Sequence, residues 1–355
     1  MDQINMIDGV RAPSRRAFLA GAAGAIATAA WSSRAPAASQ GTPVKLFYAN
    51  LIHISYNMWA DRKPEAWGTL PKEALSNVTY EPYLRCEDEA WNTLLKASAE
   101  AGINLILMDL GDAIQYQSHP EISVKNAWSR ERLRDELARM RKMGLEPIPK
   151  LNFSAAHDTW LGPYKRMVST PRYYQVCRDL IREVIALYDM PRFFHLGYDE
   201  ETAANQAGDN LVVVRQHELW WHDFNFFVDE VTSHGSRPWI WSDYAWKHGP
   251  EFYARCPKSV LQSNWYYSTT FHHNERGAET YIELEKAGLD QAPCCSNWEN
   301  VSNIRKTFDF AAEHIDPSRL KGFVLAPWKP TLATFQDYHL VGIRAFGEAI
   351  RLQRR

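Results

Sequence analysis

Phe194-His195-Leu196-Gly197-Tyr198-Asp199-Glu200-Glu201 is the stretch on which the fold and chemistry of this chain turn. An apolar run, preceded by a long helix-like segment, ends in adjacent carboxylates, with a glycine two residues before the first acid. In an α/β barrel the C-terminal ends of the strands carry the chemistry. A carboxylate pair placed there supplies a proton donor and a charge stabiliser to one substrate atom. Adjacent strand residues point to opposite faces, so both acids enter one site only if the chain leaves the strand at Gly197 or just after. The competing reading of Asp199-Glu200-Glu201 is an acidic helix start, stabilised by the helix dipole.

Outward from this octet, apolar strand-like runs alternate with helical ones. Strands are expected at 44–53, 104–110, 145–153, 192–197, 238–241, 259–265, 291–298 and 320–328. Helices are expected at 87–101, 130–143, 173–188, 218–232, 279–286, 304–314 and 335–352, with none between the fifth and sixth strands. In the second helix Leu133, Leu137 and Met140 recur at helical spacing, and Gly144 stops it. Eight strand runs, mostly separated by helices and with no linker between them, predict an α/β fold, a single-domain (β/α)8 TIM barrel over 39–355.

The later strand ends repeat a residue type. They read Trp241-Ser242-Asp243, Asn264-Trp265-Tyr266, Asn297-Trp298-Glu299 and Pro327-Trp328-Lys329, so four consecutive strands bring a Trp to one rim. That repetition suggests an aromatic cup around a sugar ring. The 14 Trp in a chain that is 13% aromatic fit such a cup, although large aromatics also fill cores. His157 and His195 stand where they would orient the carboxylates or bind hydroxyls.

The start of the chain reads as an address. Ser14-Arg15-Arg16-Ala17-Phe18-Leu19 is a twin-arginine pattern, an Ala/Gly-rich run follows, and small residues surround Ala35-Pro36-Ala37. This order predicts a twin-arginine signal peptide over 1–38. The partner it implies is the twin-arginine export machinery, and the destination periplasmic or secreted. The apolar run, about 14 residues, is too short to span a bilayer, and no later segment has the length of a membrane span. The net charge of −2 comes with both signs spread along the chain. There is no basic stripe, which argues against nucleic acid. Five cysteines without a C-x-x-C predict no disulfide framework, and Cys294-Cys295 reads as small buried hydrophobes in a strand.

The motifs together resemble the family 20 glycoside hydrolases, the β-N-acetylhexosaminidases. Their fourth strand carries His-x-Gly-Gly-Asp-Glu, which here reads His195-Leu196-Gly197-Tyr198-Asp199-Glu200. Their third strand ends in a segment like Ile-Pro-Glu-Ile-Asp-x-Pro-Gly-His. The stretch from Ile148-Pro149-Lys150-Leu151-Asn152 to His157 keeps the Ile-Pro and a similarly placed His. Asn104 and Asp112 echo a second-strand Asn and Asp, with Asp109 where the family often has His. Trp241 and Trp328 fall where the family places pocket tryptophans. The chain departs from the pattern in three ways. Tyr198 replaces the second Gly, Asn50 and His53 stand on the first strand in place of an Arg, and Trp298 replaces a Tyr that contacts the acetamido group. The resemblance implies a barrel and an acid residue, and leaves the sugar open.

The expected chemistry is hydrolysis of a glycosidic bond in a carbohydrate substrate with retention. It calls for no cofactor and no metal. Glu200 has the longer reach and Tyr198 beside it to desolvate it, so it is the expected general acid; Asp199 stays ionised and supports positive charge at the anomeric carbon. In family 20 the nucleophile is the substrate's own acetamido oxygen; without one, Asp243 or Glu299 must serve. Expected binding residues are His157, His195, Tyr198, Trp241, Asp243, Trp265, Trp298, Glu299, Trp328 and Asp112. Two rivals remain. A metal-dependent sugar isomerase or epimerase would use Asp109, His157, His195 and Glu200. A non-catalytic carbohydrate-binding barrel would keep the Trp cup and need no acid.

Overall fold

Parallel strands β1 (Phe47–His53), β2 (Leu105–Asp109), β3 (Glu146–Lys150), β4 (Phe193–His195), β5 (Arg237–Trp241), β6 (Leu261–Ser263), β7 (Cys294–Cys295) and β8 (Gly322–Leu325) follow one another around a barrel in the computed structural model. The structure describes residues 46–61, 77–206, 209–272 and 275–354. The signal-peptide expectation for 1–38 lies outside them. Hydrogen bonds run from β6 through β1 to β8 and β7. The circle closes where Gln262 N donates to Asp290 O, Ala292 N to Gln262 O and Cys294 N to Asn264 O. The predicted (β/α)8 barrel is therefore the observed fold.

Helices α1 (Asp88–Glu100), α2 (Arg130–Lys142), α3 (Pro171–Leu187), α4 (His217–Ser233), α5 (Ala245–Arg255), α6 (Arg276–Lys286), α7 (Ser302–His314) and α8 (Gln336–Gln353) each follow one strand. Local chemistry starts two of them. The Ser129 side chain accepts from Arg132 N ahead of α2, and Thr170 accepts from Tyr173 N ahead of α3, with Pro171 at the first turn. Helix α5 departs from the sequence expectation. Gly249 and Pro250 punctuate it and His248 breaks its helical geometry, so its local signal is that of a turn, and it forms by packing Ala245, Gly249 and Phe252 inward.

Strand β3 contains Pro147 and Pro149, residues rare in central strands. Alternate residues of a parallel strand donate to opposite neighbours. Leu151 N and Phe153 N donate to β4 and its extension, so both prolines fall on the β4 side. The β3–β4 ladder is accordingly a single pair, Lys150 with His195, while β2–β3 keeps five.

Alternation sorts the strands into an inner and an outer face. Phe47, Ala49, Leu51, Leu105, Leu107, Ile148, Phe193, Trp239, Trp241, Cys294 and Val324 fill the barrel interior. Ile106, Met108, Phe194, Leu196, Ile240, Cys295 and Phe323 pack outward against helices. Cys294 and Cys295 are both buried and free, one on each face. Asn50 is outward too, donating to Ser98 Oγ of α1. One inner layer is polar. Register places His53, Asp109, Lys150 and His195 side by side, with Lys150 Nζ 2.7 Å and His53 Nδ1 3.1 Å from Asp109 Oδ2. A buried ion pair adds little net stability but is costly to break.

Asp112 does not enter this layer. It ties the ends of β1 and β2 together, accepting from Ser55 Oγ and from Asn57 Nδ2 at 2.9 Å. Burial pushes its carboxyl up to about 7 despite those donors. A carboxyl raised in this way adds stability that is complete below its unfolded value of about 4 and is lost as pH rises through about 7. The thermal midpoint of wild type relative to Asp112→Asn should therefore fall between pH 4 and pH 8. A difference that stays constant across that range would show that Asp112 titrates as an ordinary aspartate.

Candidate active site

The chain leaves β4 after His195 through a turn that only glycine can make. Gly197 has φ +69°, and a Cβ there would lie 2.1 Å from Asn152 Oδ1. Tyr198 (φ +74°) and Glu200 (φ +55°) extend the left-handed geometry, a costly backbone that only a determined environment holds. Glu201 supplies that environment. Its carboxylate takes the Arg215 guanidinium and the Ala155 N–H, and Arg215 also donates to Phe153 O at 2.8 Å. This third acid is therefore a structural anchor.

The turn brings Asp199 and Glu200 to one place. His157, from the loop after β3, sets Nε2 3.5 Å from Asp199 Oδ2 and 3.3 Å from Glu200 Oε2. Asn152 Nδ2 donates to Asp199 Oδ1 at 2.8 Å. From the end of β5, Asp243 Oδ2 accepts from Glu200 N at 2.8 Å and Oδ1 from Trp265 Nε1 at 3.3 Å. Asp199 is buried, whereas the Glu200 side chain keeps 33% of its exposure, so Glu200 has the better access to a ligand.

Electrostatics divide these groups. Burial opposes ionisation of Asp199, but His157, Lys150 and Asn152 outweigh it and hold the carboxyl well below its usual range. Burial also works against a charged His157, and the Asp199 and Glu200 carboxylates overcome it, lifting the imidazole to about 10. Asp243 moves the other way. Its enclosure, with the charges of Asp199 and Glu200, pushes it up to about 7. His195 is held neutral by burial and by Lys150; its Nδ1 accepts from Gly197 N at 3.0 Å, which puts its proton on Nε2.

Aromatic rings frame the acids. Trp241 lies 4.4 Å from the His195 ring and 5.8 Å from Trp328. Trp328 Nε1 donates to Tyr267 Oη at 2.8 Å, and Tyr267 stacks on Trp265 at 5.2 Å. Trp59 meets His157 at 6.1 Å. Three of the four expected tryptophans thus gather.

Trp298 does not join them. It is 53% exposed, with Lys329 Nζ 5.1 Å from its ring, and Glu299 beside it is also exposed. Strand β7 ends at Cys295, so both residues fall beyond it. Tyr198 is likewise not where the sequence suggested. The left-handed turn sends its ring onto Trp220, Phe224 and Phe227, under Arg215. The metal set Asp109, His157, His195 and Glu200 is split, because Asp109 is engaged by Lys150 and His53. Lys150 and Asn152 were within view in the third-strand segment. Trp59 and Tyr267 carry no sequence signal, since both lie in loops outside the strands and helices.

No family model matches the sequence, and no curated protein does. Solved structures do. An exo-β-N-acetylglucosaminidase of glycoside hydrolase family 20 from Vibrio harveyi superposes with a TM-score of 0.57 at 13% identity, covering 88% of this chain and 57% of that one. The chain shares the family 20 barrel fold. A β-N-acetylhexosaminidase from Bacteroides fragilis gives 0.56 at 10% identity, covering 86% of this chain and 66% of that one. Dispersin B gives 0.51 at 14%, covering 84% and 98%. The chain thus spans little more than half the length of the Vibrio protein and most of Dispersin B.

Proposed function

We propose that this chain is a retaining glycoside hydrolase in which Glu200 protonates the leaving oxygen and Asp199 supports positive charge at the anomeric centre. The observation that carries it is the Asp199–Glu200 pair at the mouth of a family 20-type barrel, bridged by His157 and framed by Trp241, Trp265 and Trp328. Two differences between the acids support this division of roles. Asp199 is held ionised by His157, Lys150 and Asn152, as a charge-supporting group must be. Glu200 is the more accessible, as a proton donor to a leaving group must be. Where the substrate carries a 2-acetamido group, Asp199 orients that oxygen as nucleophile. Where it does not, Asp243, whose Oδ2 accepts from the Glu200 N–H, is the carboxyl that takes its place; Glu299 is exposed.

Hydrolysis of a panel of aryl glycosides, before and after dialysis against EDTA, tests this reading. Turnover should survive dialysis unchanged. Activity lost to EDTA and restored by manganese, cobalt or zinc would move the assignment to a metal-dependent isomerase or epimerase. Export is part of the same proposal. The twin-arginine receptor reads Arg15 and Arg16 as a pair, so replacing both with Lys should strand the precursor in the cytoplasm. Normal periplasmic recovery of the Lys-Lys variant would remove the export claim.

A further inference from the structure

We propose that His157, Asp199 and Glu200 also form a binding site for a divalent cation of the zinc class, whose occupation silences the acid pair. The argument begins with distances. Two ligand atoms on a tetrahedral zinc, at its usual bond lengths, stand about 3.4 Å apart. His157 Nε2 stands 3.5 Å from Asp199 Oδ2 and 3.3 Å from Glu200 Oε2. The three donor atoms lie within 4.8 Å of one another. The remaining edge joins the two carboxylates, and Glu200, the most exposed and longest of the three side chains, has the freedom to close it.

A second observation points to a ligand at the same place. His157 is 1% exposed, and its Nδ1 makes no hydrogen bond among the described residues. What holds the buried ring is on its other side, where Nε2 is set between the carboxylates of Asp199 and Glu200. Asp199 is prepared as a ligand as well. Asn152 Nδ2 occupies Oδ1 at 2.8 Å, leaving Oδ2 on the His157 side, the outer-shell support that ligating carboxylates receive.

The donor set selects the metal. One imidazole nitrogen and two carboxylate oxygens suit zinc or cobalt, whereas calcium and magnesium take oxygen shells of six or more. Zinc binding releases the His157 proton to solvent, and the two carboxylates then balance the charge of the ion. Three protein ligands leave a fourth position for water. Zinc here would occupy the carboxylate that donates the proton and the one that supports charge, so it blocks hydrolysis rather than promoting it. Binding itself is independent of the hydrolytic proposal; the loss of turnover rests on it.

The test uses the exported chain after EDTA dialysis, with zinc added in a calorimeter and no sugar present. One zinc per chain should bind, and cobalt should give the intense visible bands of a four-coordinate ion. Glu200→Gln is the safest variant because its side chain is partly exposed. It should weaken zinc binding at least about tenfold, and Asp199→Asn and His157→Gln should do the same where they fold. In wild type, the zinc concentration that halves turnover should match the dissociation constant. Absence of one-to-one binding at submillimolar zinc, or binding unchanged in Glu200→Gln, would overturn the site and leave the hydrolase reading standing. Zinc bound as described to a protein that hydrolyses nothing would do the reverse.

Discussion

Glu200→Gln is expected to lower turnover by about two to four orders of magnitude on glycosides with poor leaving groups. The substitution keeps the shape of the side chain, and the Glu200 N–H can still donate to Asp243, so the turn that presents position 200 should survive. What goes is the proton. Activated aryl groups depart without protonation, and on them the loss should be much smaller. The alkaline limb of the pH–rate profile should also vanish, since that limb reports deprotonation of the acid. Asp199→Asn should behave differently. Charge support at the anomeric centre is needed whatever leaves, so both substrate types should suffer alike. Equal losses for both types in Glu200→Gln, with the alkaline limb intact, would transfer the acid role to Asp243, the next carboxyl in the cluster.

Gly197→Ala is the second large effect. An alanine there adopts a φ of +69° and places its Cβ 2.1 Å from Asn152 Oδ1. Left-handed backbone alone costs about 1–3 kcal/mol, and the overlap must also be relieved. The group that has to give way is Asn152, whose Oδ1 accepts from Ser154 N and Tyr198 N and whose Nδ2 holds Asp199. Moving it detaches the Asp199 carboxylate, proposed to support charge. The variant should therefore lose both thermal stability and most of its turnover, on activated and poor leaving groups equally. A Gly197→Ala protein with wild-type melting and wild-type kinetics would mean that the turn after β4 is not under the constraint described.

The barrel was legible because parallel strands and crossover helices write strong periodic signals, and the octet at 194–201 located the acids. Three failures have particular causes. Helix α5 has no sequence signal because Gly249 and Pro250 read as a turn, while the burial of Ala245 and Phe252 that forms it is a tertiary effect. Adjacency in sequence sets Tyr198 beside Glu200, but the left-handed turn at Gly197 and Tyr198 sends its ring onto Trp220, Phe224 and Phe227 of α4. Trp298 was grouped with the other rim tryptophans by its place after a strand run, yet β7 ends three residues earlier and the ring stays outside. The polar layer of His53, Asp109, Lys150 and His195 depends on register across four strands, which no single segment encodes.

The central claim is that Asp199 and Glu200 hydrolyse glycosides with retention. Proton NMR of a glycoside panel, followed from the first turnover, tests it most directly when wild type is run beside the Asp199→Asn/Glu200→Gln double variant. Wild type should release a free sugar that first appears in the anomeric configuration of its substrate, and the double variant should release none. A first product of inverted configuration, hydrolysis that persists in the double variant, or no hydrolysis of any glycoside by wild type would contradict the account.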